Sequence, residues 1–585
     1  MSVVSSPSTP QNISFLLESP TTIYNLPVEI LLYIFTFNTR HNFDHVHSPS
    51  RTTRHTSQVC KQWRYISLNC PALWAQSIDF KDPMIWLKKV TTRCGTLPID
   101  MIIPSVTDSL IKSCADENLE KENLHRTSPR PIDLVRRWDS PMCYDAKVLA
   151  PWFFHLPQCR SVTLKISAMV WETFNLDKVD LSHLESLTVV EAGATLEPRL
   201  LKLWKAGAFV GETTWNLRSL TLSGCITAFD AYAFRGLLEL TVHHVPSGLS
   251  LLPIEWINVL SNMPALKHLE LINTTLTTAY YNLEEAEISS TLSASLPQLE
   301  RLLLEAPLHH CSYIFDHLDI PSSCNINIAA CGFSSITTPF HHLVAAIERH
   351  FDSSKTPCSR SLLASLGLSS CIINLTRPNN SQGIQDSGGS LSLSVIWNNH
   401  IVNPMSHTFI DPLVVFSTLT SAIRKPCASV NNLNLVIVDI TIENKRKHHQ
   451  VLDTFLSPFD RLESIEDISF STFQFLLPCL REPSRFKELL PCLRAISFLD
   501  INFANFKMGE FGLLRTLLYF VRSRLPNTGT PTTSESGSSD GDSVGKTPIT
   551  DIRFRFCRAV REKAVKMFER FGVTVLRDGV TLGYV

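Results

Sequence analysis

Leu217-Arg218-Ser219-Leu220-Thr221-Leu222 is the stretch on which the fold turns, because the same spacing returns along the chain. Leu184-x-x-Leu187-x-Val189, Leu237-x-x-Leu240-x-Val242, Leu266-x-x-Leu269-x-Leu271 and Leu299-x-x-Leu302-x-Leu304 share it, and Cys159-x-x-Val162-x-Leu164 is a weaker version. Side chains two positions apart on a strand face the same way, so the last two apolar residues of each unit point inward from a short strand. The residue three before them packs the preceding turn. Equivalent positions (Val162, Leu187, Leu220, Leu240, Leu269, Leu302) follow one another at 25, 33, 20, 29 and 33 residues. So uneven a period requires insertions between units.

A strand unit returning at this interval resembles the leucine-rich repeat, in which each unit buries its apolar face only by stacking on its neighbours. The expected fold class is an α/β solenoid: an irregular array of parallel strands with intervening helices over residues 151–585. Helices are expected at Pro198–Trp204, Pro253–Met263, Tyr281–Ser293 and His341–His350, and strands at Asn325–Ile328, within Ser361–Leu375 and at Ser390–Trp397. The unit comes back at Val430-x-x-Leu433-x-Leu435, Leu462-x-x-Ile465 and Leu493-x-x-Ile496-x-Phe498. A strand (Ile552, Phe554, Phe556), a helix (Arg558–Phe571) and a strand (Val573, Val575) close the array. Residues 526–548, rich in Ser, Thr, Gly and Asp, read as a disordered insertion.

A different pattern occupies residues 21–80. Leu26-Pro27-Val28-Glu29-Ile30-Leu31 leads into Ile34-Phe35, then comes Val59-Cys60-Lys61-Gln62-Trp63-Arg64, and Pro71-Ala72-Leu73-Trp74 closes the segment. Pro27 suits a first helical position and Glu29 the positive end of the helix dipole. Ile30, Leu31, Ile34 and Phe35 make a broad apolar face, and Val59, Trp63 and Ile66 repeat the helical spacing. Between the blocks, Thr36–Ser57 is polar, with Phe37, Phe43 and Val46 as its large apolar groups. Two short amphipathic helices cannot bury all this apolar surface alone, so part of it is left for a partner.

These residues resemble the F-box, the module that docks on the adaptor subunit of cullin-type ubiquitin ligases, and in particular the F-box proteins of mushroom-type (basidiomycete) fungi. The resemblance implies a substrate-receptor subunit of a cullin-RING (SCF-type) ligase. Leu26, Pro27, Ile30, Leu31, Ile34, Phe35, Val59 and Trp63 would bind the adaptor, and through it the cullin. The repeat domain would hold a target protein on its strand face, where Thr221, His243, His268, Glu270, Arg301 and Glu305 are candidates. The polar Thr36–Ser57 segment keeps an alternative open, a repeat scaffold with no ligase role. Residues 1–20 read as a tail and 81–150 as a connector, helical at Met84–Val90, a strand at Pro98–Ile103 and polar over Thr107–Pro131.

Composition narrows the function classes. With 53 basic and 54 acidic residues the net charge is −1, so no global field draws the chain to nucleic acid or an anionic membrane. The first ten residues lack the basic and apolar regions of a secretory signal, and no apolar run is long enough to span a bilayer. The 16 cysteines stand apart with no Cys-x-x-Cys, which argues against a disulfide framework or zinc ribbon and for the cytosol or nucleus. Gly541–Thr547 has the flavour of a phosphate loop, but three residues rather than four separate its glycines and Pro548 follows. Gly537–Gly541 fits the letters of a nucleophile elbow in a tract unable to hold that turn. The pairs His243-His244, His309-His310, His341-His342 and His448-His449 read as surface or rim histidines. The basic helix near the C-terminus reads as a solvated face. No catalytic residue, cofactor or metal is expected, and the chain is not expected to be an enzyme.

Overall fold

The computed structural model describes residues 26–40, 49–75, 78–79, 84–103, 155–166, 181–191, 216–227, 229, 234–246, 249–274, 292–333, 338–353, 361–366, 370–376, 390–397, 411–438, 445–482, 488–503, 511–525, 547–558, 560 and 562–578. The expected tail 1–20, the helix Pro198–Trp204 and the polar stretches Thr107–Pro131 and Arg377–Gly389 lie outside these. So do all but the last two residues of Tyr281–Ser293 and of Pro526–Pro548. The chain divides into two compact units, residues 1–193 with 208–216, and residues 194–207 with 217–585.

The first unit opens with α1 (Val28–Arg40), α2 (Pro49–Thr56), α3 (Lys61–Leu68) and α4 (Pro71–Ala75). The α1 helix starts one residue later than the proline rule predicts: the Pro27 carbonyl accepts from the N–H groups of Ile30 and Leu31 at 3.1 Å, so Pro27 stands just before the first turn. Val59 lies outside α3 rather than opening it. Cys60, in an extended conformation, caps that helix through its thiol, which accepts from the Trp63 N–H at 3.4 Å. Then follow β1 (Ile78–Asp79), α5 (Met84–Cys94), β2 (Ile99–Ile103), β3 (Cys159–Ile166) and β4 (Ser186–Glu191), paired β1-β2-β3-β4 in parallel. Asp100 and Arg160 cross-brace β2 and β3 through a two-pronged ion pair at 2.8 and 3.3 Å.

The second unit begins with β5 (Ser219–Ser223), β6 (Glu239–His243), α6 (Pro253–Ser261), β7 (His268–Ile272), β8 (Ala294–Ser295), β9 (Arg301–Pro307), α7 (Leu308–Asp316), β10 (Leu318–Asp319), β11 (Asn325–Phe333) and α8 (Thr338–Ser353). β5, β6, β7, β9 and β11 pair in that order, all parallel, while β8 and β10 form a small separate pair. The inward positions are buried as the spacing requires: Leu220 and Leu222, Leu240 and Val242, Leu269 and Leu271, Leu302 and Leu304. The repeating unit reaches one step further back than the sequence pattern shows. The N–H groups of Leu237, Leu266 and Leu299 bond to the carbonyls of Phe234, Met263 and Leu296, and each of those three residues is buried too. Leu184 on Leu181 in the first unit, and Leu462 on Phe459 and Leu493 on Leu490 further along, repeat that turn.

The array then reverses. β12 (Ser361–Leu366), β13 (Ser370–Thr376) and β14 (Leu391–Trp397) form an antiparallel meander whose last strand lies beside β11. Next come α9 (Pro412–Ala422), α10 (Arg424–Cys427) and β15 (Asn432–Ile437), which pairs in parallel with β12. The spatial order is therefore β11-β14-β13-β12-β15, with β13 running against its neighbours. This corrects the expectation of parallel strands throughout. The parallel succession resumes through α11 (Lys445–Leu456), β16 (Ser464–Ile468), α12 (Phe470–Arg481), β17 (Ala495–Leu499), α13 (Phe511–Ser523), β18 (Asp551–Arg555), α14 (Glu562–Arg570) and β19 (Thr574–Asp578). The last helix starts at Glu562, not Arg558, whose backbone bridges Asn502. It buries Ala564, Val565 and Phe568 and leaves its basic residues on the open side.

One of the histidine pairs corrects a further expectation. His309 and His310 sit on α7, and their rings lie 4.0 Å apart. His310 is 5% exposed, and its Nδ1 has no hydrogen-bond partner. Burial, with His309 alongside, pushes the His310 pKa down to about 3. His341 and His342 are exposed, on α8. Among the described residues no helix is long and apolar enough to cross a membrane, and no group of three or more His, Cys, Asp or Glu could hold a metal ion.

Candidate docking surfaces

In the first unit, α1 divides into two faces by simple helical geometry. Leu31 and Phe35, four apart, are sealed in a cluster with Ile66 and Leu73, against which Leu26, Leu32, Ile34, Trp63 and Cys70 pack half-buried. The ring of Phe35 meets that of Trp63 at 4.8 Å and 57°. Burying one such aliphatic or aromatic group contributes about 1.5–3 kcal/mol, so this small cluster holds the helices together. The other face carries Ile30, Tyr33 and Phe37 at 47, 70 and 50% exposure, with Tyr33 stacked on Phe37 at 6.5 Å, while Val28, 46% exposed, opens the helix on the opposite side. Val59 and Tyr65 are also exposed. Ile30, Tyr33 and Phe37, at i, i+3 and i+7, thus make an exposed apolar stripe along one side of a short helix.

The sequence-derived adaptor set is therefore split. Leu31 and Phe35 are interior, Leu26, Ile34 and Trp63 half-buried, and Pro27, Ile30 and Val59 open. Tyr33 and Phe37, exposed on the same side of α1 as Ile30, are not in that set, and the signal was present: a helix with apolar residues nearly all round has more surface than its own core can use. α2, at the end of the polar segment, buries hydroxyl groups, and two of them make hydrogen bonds local to the helix. Thr53, Thr56 and Ser57 are buried, and Thr56 and Ser57 donate to the carbonyls of Thr52 and Arg54 at 2.9 and 2.7 Å. Behind α4, Trp74 donates its indole N–H to the Ser67 carbonyl at 2.7 Å, meets Trp86 edge-on at 5.9 Å, and carries the Arg93 guanidinium over its face at 4.6 Å. Burial, then the neighbouring Arg64 charge, holds Arg93 below its usual pKa.

In the second unit the outward positions of β5, β6, β7 and β9 fall into register. Glu239, His268 and Arg301 form one row, Thr221, Thr241, Glu270 and Leu303 a second, and Ser223, His243, Ile272 and Glu305 a third. All six sequence-derived candidates thus lie on one strand face, half-buried or exposed. They are not independent. His243 Nε2 and Glu270 Oε1 are 3.1 Å apart, and Asn273 donates to Glu305 at 3.4 Å. Where the strands leave this face, Gly224, His244 and Asn273 take left-handed conformations in succession, at φ 73, 52 and 49°. Each N–H bonds forward to the next strand, onto the carbonyls of His243, Ile272 and Glu305. Glycine and asparagine tolerate that region, and histidine does so more than most residues. The face is mixed in charge and edged by a backbone ladder.

A family model described as F-box-like matches residues 23–78, the segment that holds α1 to α4. No curated protein matches the chain.

Proposed function

We propose that the chain is a substrate-receptor subunit of an SCF-type ubiquitin ligase, with residues 21–80 docking the adaptor subunit and, through it, the cullin. The observation that carries this reading is the exposed apolar stripe Ile30, Tyr33 and Phe37 on α1, opposite the sealed Leu31–Phe35–Ile66–Leu73 cluster, within the segment that matches the F-box-like model. Aromatic groups at the centre of a desolvated patch dominate binding energy, which makes Tyr33 and Phe37 its natural anchors. Residues 151–585 we read as a degenerate leucine-rich-repeat solenoid that presents a target protein on the strand face of Thr221, His243, His268, Glu270, Arg301 and Glu305. Catalysis would come from other subunits by proximity. The chain would then work without an active site, cofactor or metal of its own, in the cytosol or nucleus, with proteins as its partners rather than nucleic acid or membrane.

Co-purification of the full chain with the adaptor subunit tests this. Stoichiometric capture by the wild type and its loss in Ile30→Glu is the expected result; no capture by the wild type rejects the ligase reading. A second reading, a repeat scaffold outside any ligase, is favoured by one observation: α2 is PSRTTRHT, polar where a docking module would offer a second apolar helix.

A further inference from the structure

Arg524 follows directly on α13 and is 1% exposed. Its Nη2 donates to the carbonyls of Leu490 and Pro491 at 2.7 and 3.0 Å. Its Nε and Nη1 have no hydrogen-bond partner, and the ring of Phe520 lies 5.8 Å from the guanidinium carbon. Burial lowers the pKa only to about 10, so the group is a cation at neutral pH. An interior cation is expensive unless an anion accompanies it and its donors are used. Arg524 has neither a carboxylate partner nor a use for two of its nitrogens.

Thr547 stands beside it. Its hydroxyl donates to the same Pro491 carbonyl at 2.9 Å, so Thr547 Oγ1 and Arg524 Nη2 lie within two hydrogen-bond lengths of each other. Thr547 is half-exposed, sits on backbone that is neither helix nor strand, and is followed by Pro548. A side chain that can be esterified, with an adjoining proline, thus shares one carbonyl with a buried guanidinium that still has unused donors.

We propose that Thr547 is a phosphorylation site and that Arg524 is the buried guanidinium that receives the phosphate. In the transfer, Thr547 Oγ1 attacks the γ-phosphorus of ATP held by a proline-directed kinase. The bond from that phosphorus to the β–γ bridging oxygen breaks, ADP leaves, and the hydroxyl proton passes to the kinase's base. The product is a dianion with three acceptor oxygens, and a free donor of Arg524, Nε or Nη1, would supply a charge-assisted hydrogen bond to it. It would fasten the chain entering β18 to the end of α13. The inference rests on Arg524 and Thr547 alone and stands whether or not the chain joins a ligase.

The test uses the full chain, a proline-directed serine/threonine kinase and ATP, with sites mapped by mass spectrometry and the phosphate titrated by phosphorus-31 NMR. Phosphate on Thr547 is expected, with its second ionisation at least about half a pH unit below that of a phosphopeptide covering residues 541–553. Arg524→Gln is expected to return the titration to the peptide value. If that variant does not fold, Arg524→Lys decides, because an ammonium keeps the charge but not the several fixed donors of the guanidinium, and the shift should fall at least about twofold. Modification at Thr530 without Thr547, a phosphothreonine that titrates like the peptide, or a shift undiminished in the variants overturns the proposal.

Discussion

The ring of Trp63 lies 4.8 Å from that of Phe35, tilted by 57°, so the most prominent aromatic of the N-terminal segment faces inward onto α1. Its indole nitrogen is buried without a partner. Trp63 is thus first a structural residue. Trp63→Ala is expected to destabilise the helical module by about 2–4 kcal/mol, toward the lower part of the range for large aromatics because the ring is only half-buried. Chemical denaturation followed by limited proteolysis at residues 26–75 would read this. An unaltered midpoint would mean that the Phe35 contact contributes little.

Tyr33→Ala separates docking from folding. The side chain is 70% exposed and stacks on Phe37 one turn further along α1, so removal should shift stability by no more than about 0.5 kcal/mol. Under the ligase reading the same change should weaken adaptor capture at least tenfold, equivalent to about 1.4 kcal/mol. Titration of wild type and variant against purified adaptor provides the comparison. Equal affinities would move the contact away from this face of α1.

Asp467 has a double role that one substitution series can divide. It is held at φ 54°, its Oδ1 accepts from Arg555 Nη1 at 2.7 Å, and its Oδ2 accepts from Asn434 at 3.3 Å. Because Arg555 is 43% exposed, the ion pair is screened, and Asp467→Asn should cost below about 1 kcal/mol. Asp467→Val adds a β-branched side chain in the left-handed region, and about 1–2 kcal/mol more should follow. Urea midpoints of the two variants should therefore differ; coincident midpoints would remove the backbone argument.

What could be read in advance follows from what a spacing encodes. Leu220 and Leu222, or Leu269 and Leu271, announce an inward face because alternation survives any tertiary context. Alternation carries no direction, however. Leu362, Ala364 and Leu366 on β12 and Cys371, Ile373 and Leu375 on β13 are buried in the same pattern although those strands run oppositely. Hence the reversed meander was invisible. The first-unit site was half legible for a related reason: Ile30 and Leu31 are adjacent and equally apolar, and only the packed core decides that Leu31 is sealed while Ile30 is open. His310 was read as a surface residue because a polar pair carries no mark of burial; adjacent residues on a helix point about 100° apart, so one of the two can turn into the core.

His310 also sets an acid sensitivity. Burial first, and the His309 charge second, lower its pKa to about 3, and burial lowers the pKa of His309 and His350 as well. In the unfolded chain a histidine binds its proton below about pH 6.5. Between that value and about 3 the unfolded state therefore holds a proton that the folded state refuses, and stability falls as pH falls through this window. One such group gives a slope of at most about 1.4 kcal/mol per pH unit. Carboxylates enter below about pH 5, so the clean interval is pH 5–7. Urea unfolding of wild type and His310→Gln across that interval should show the variant losing less stability on acidification, with the gap between them widening as pH drops. Parallel curves would mean that His310 finds a proton acceptor in the folded chain and is charged there.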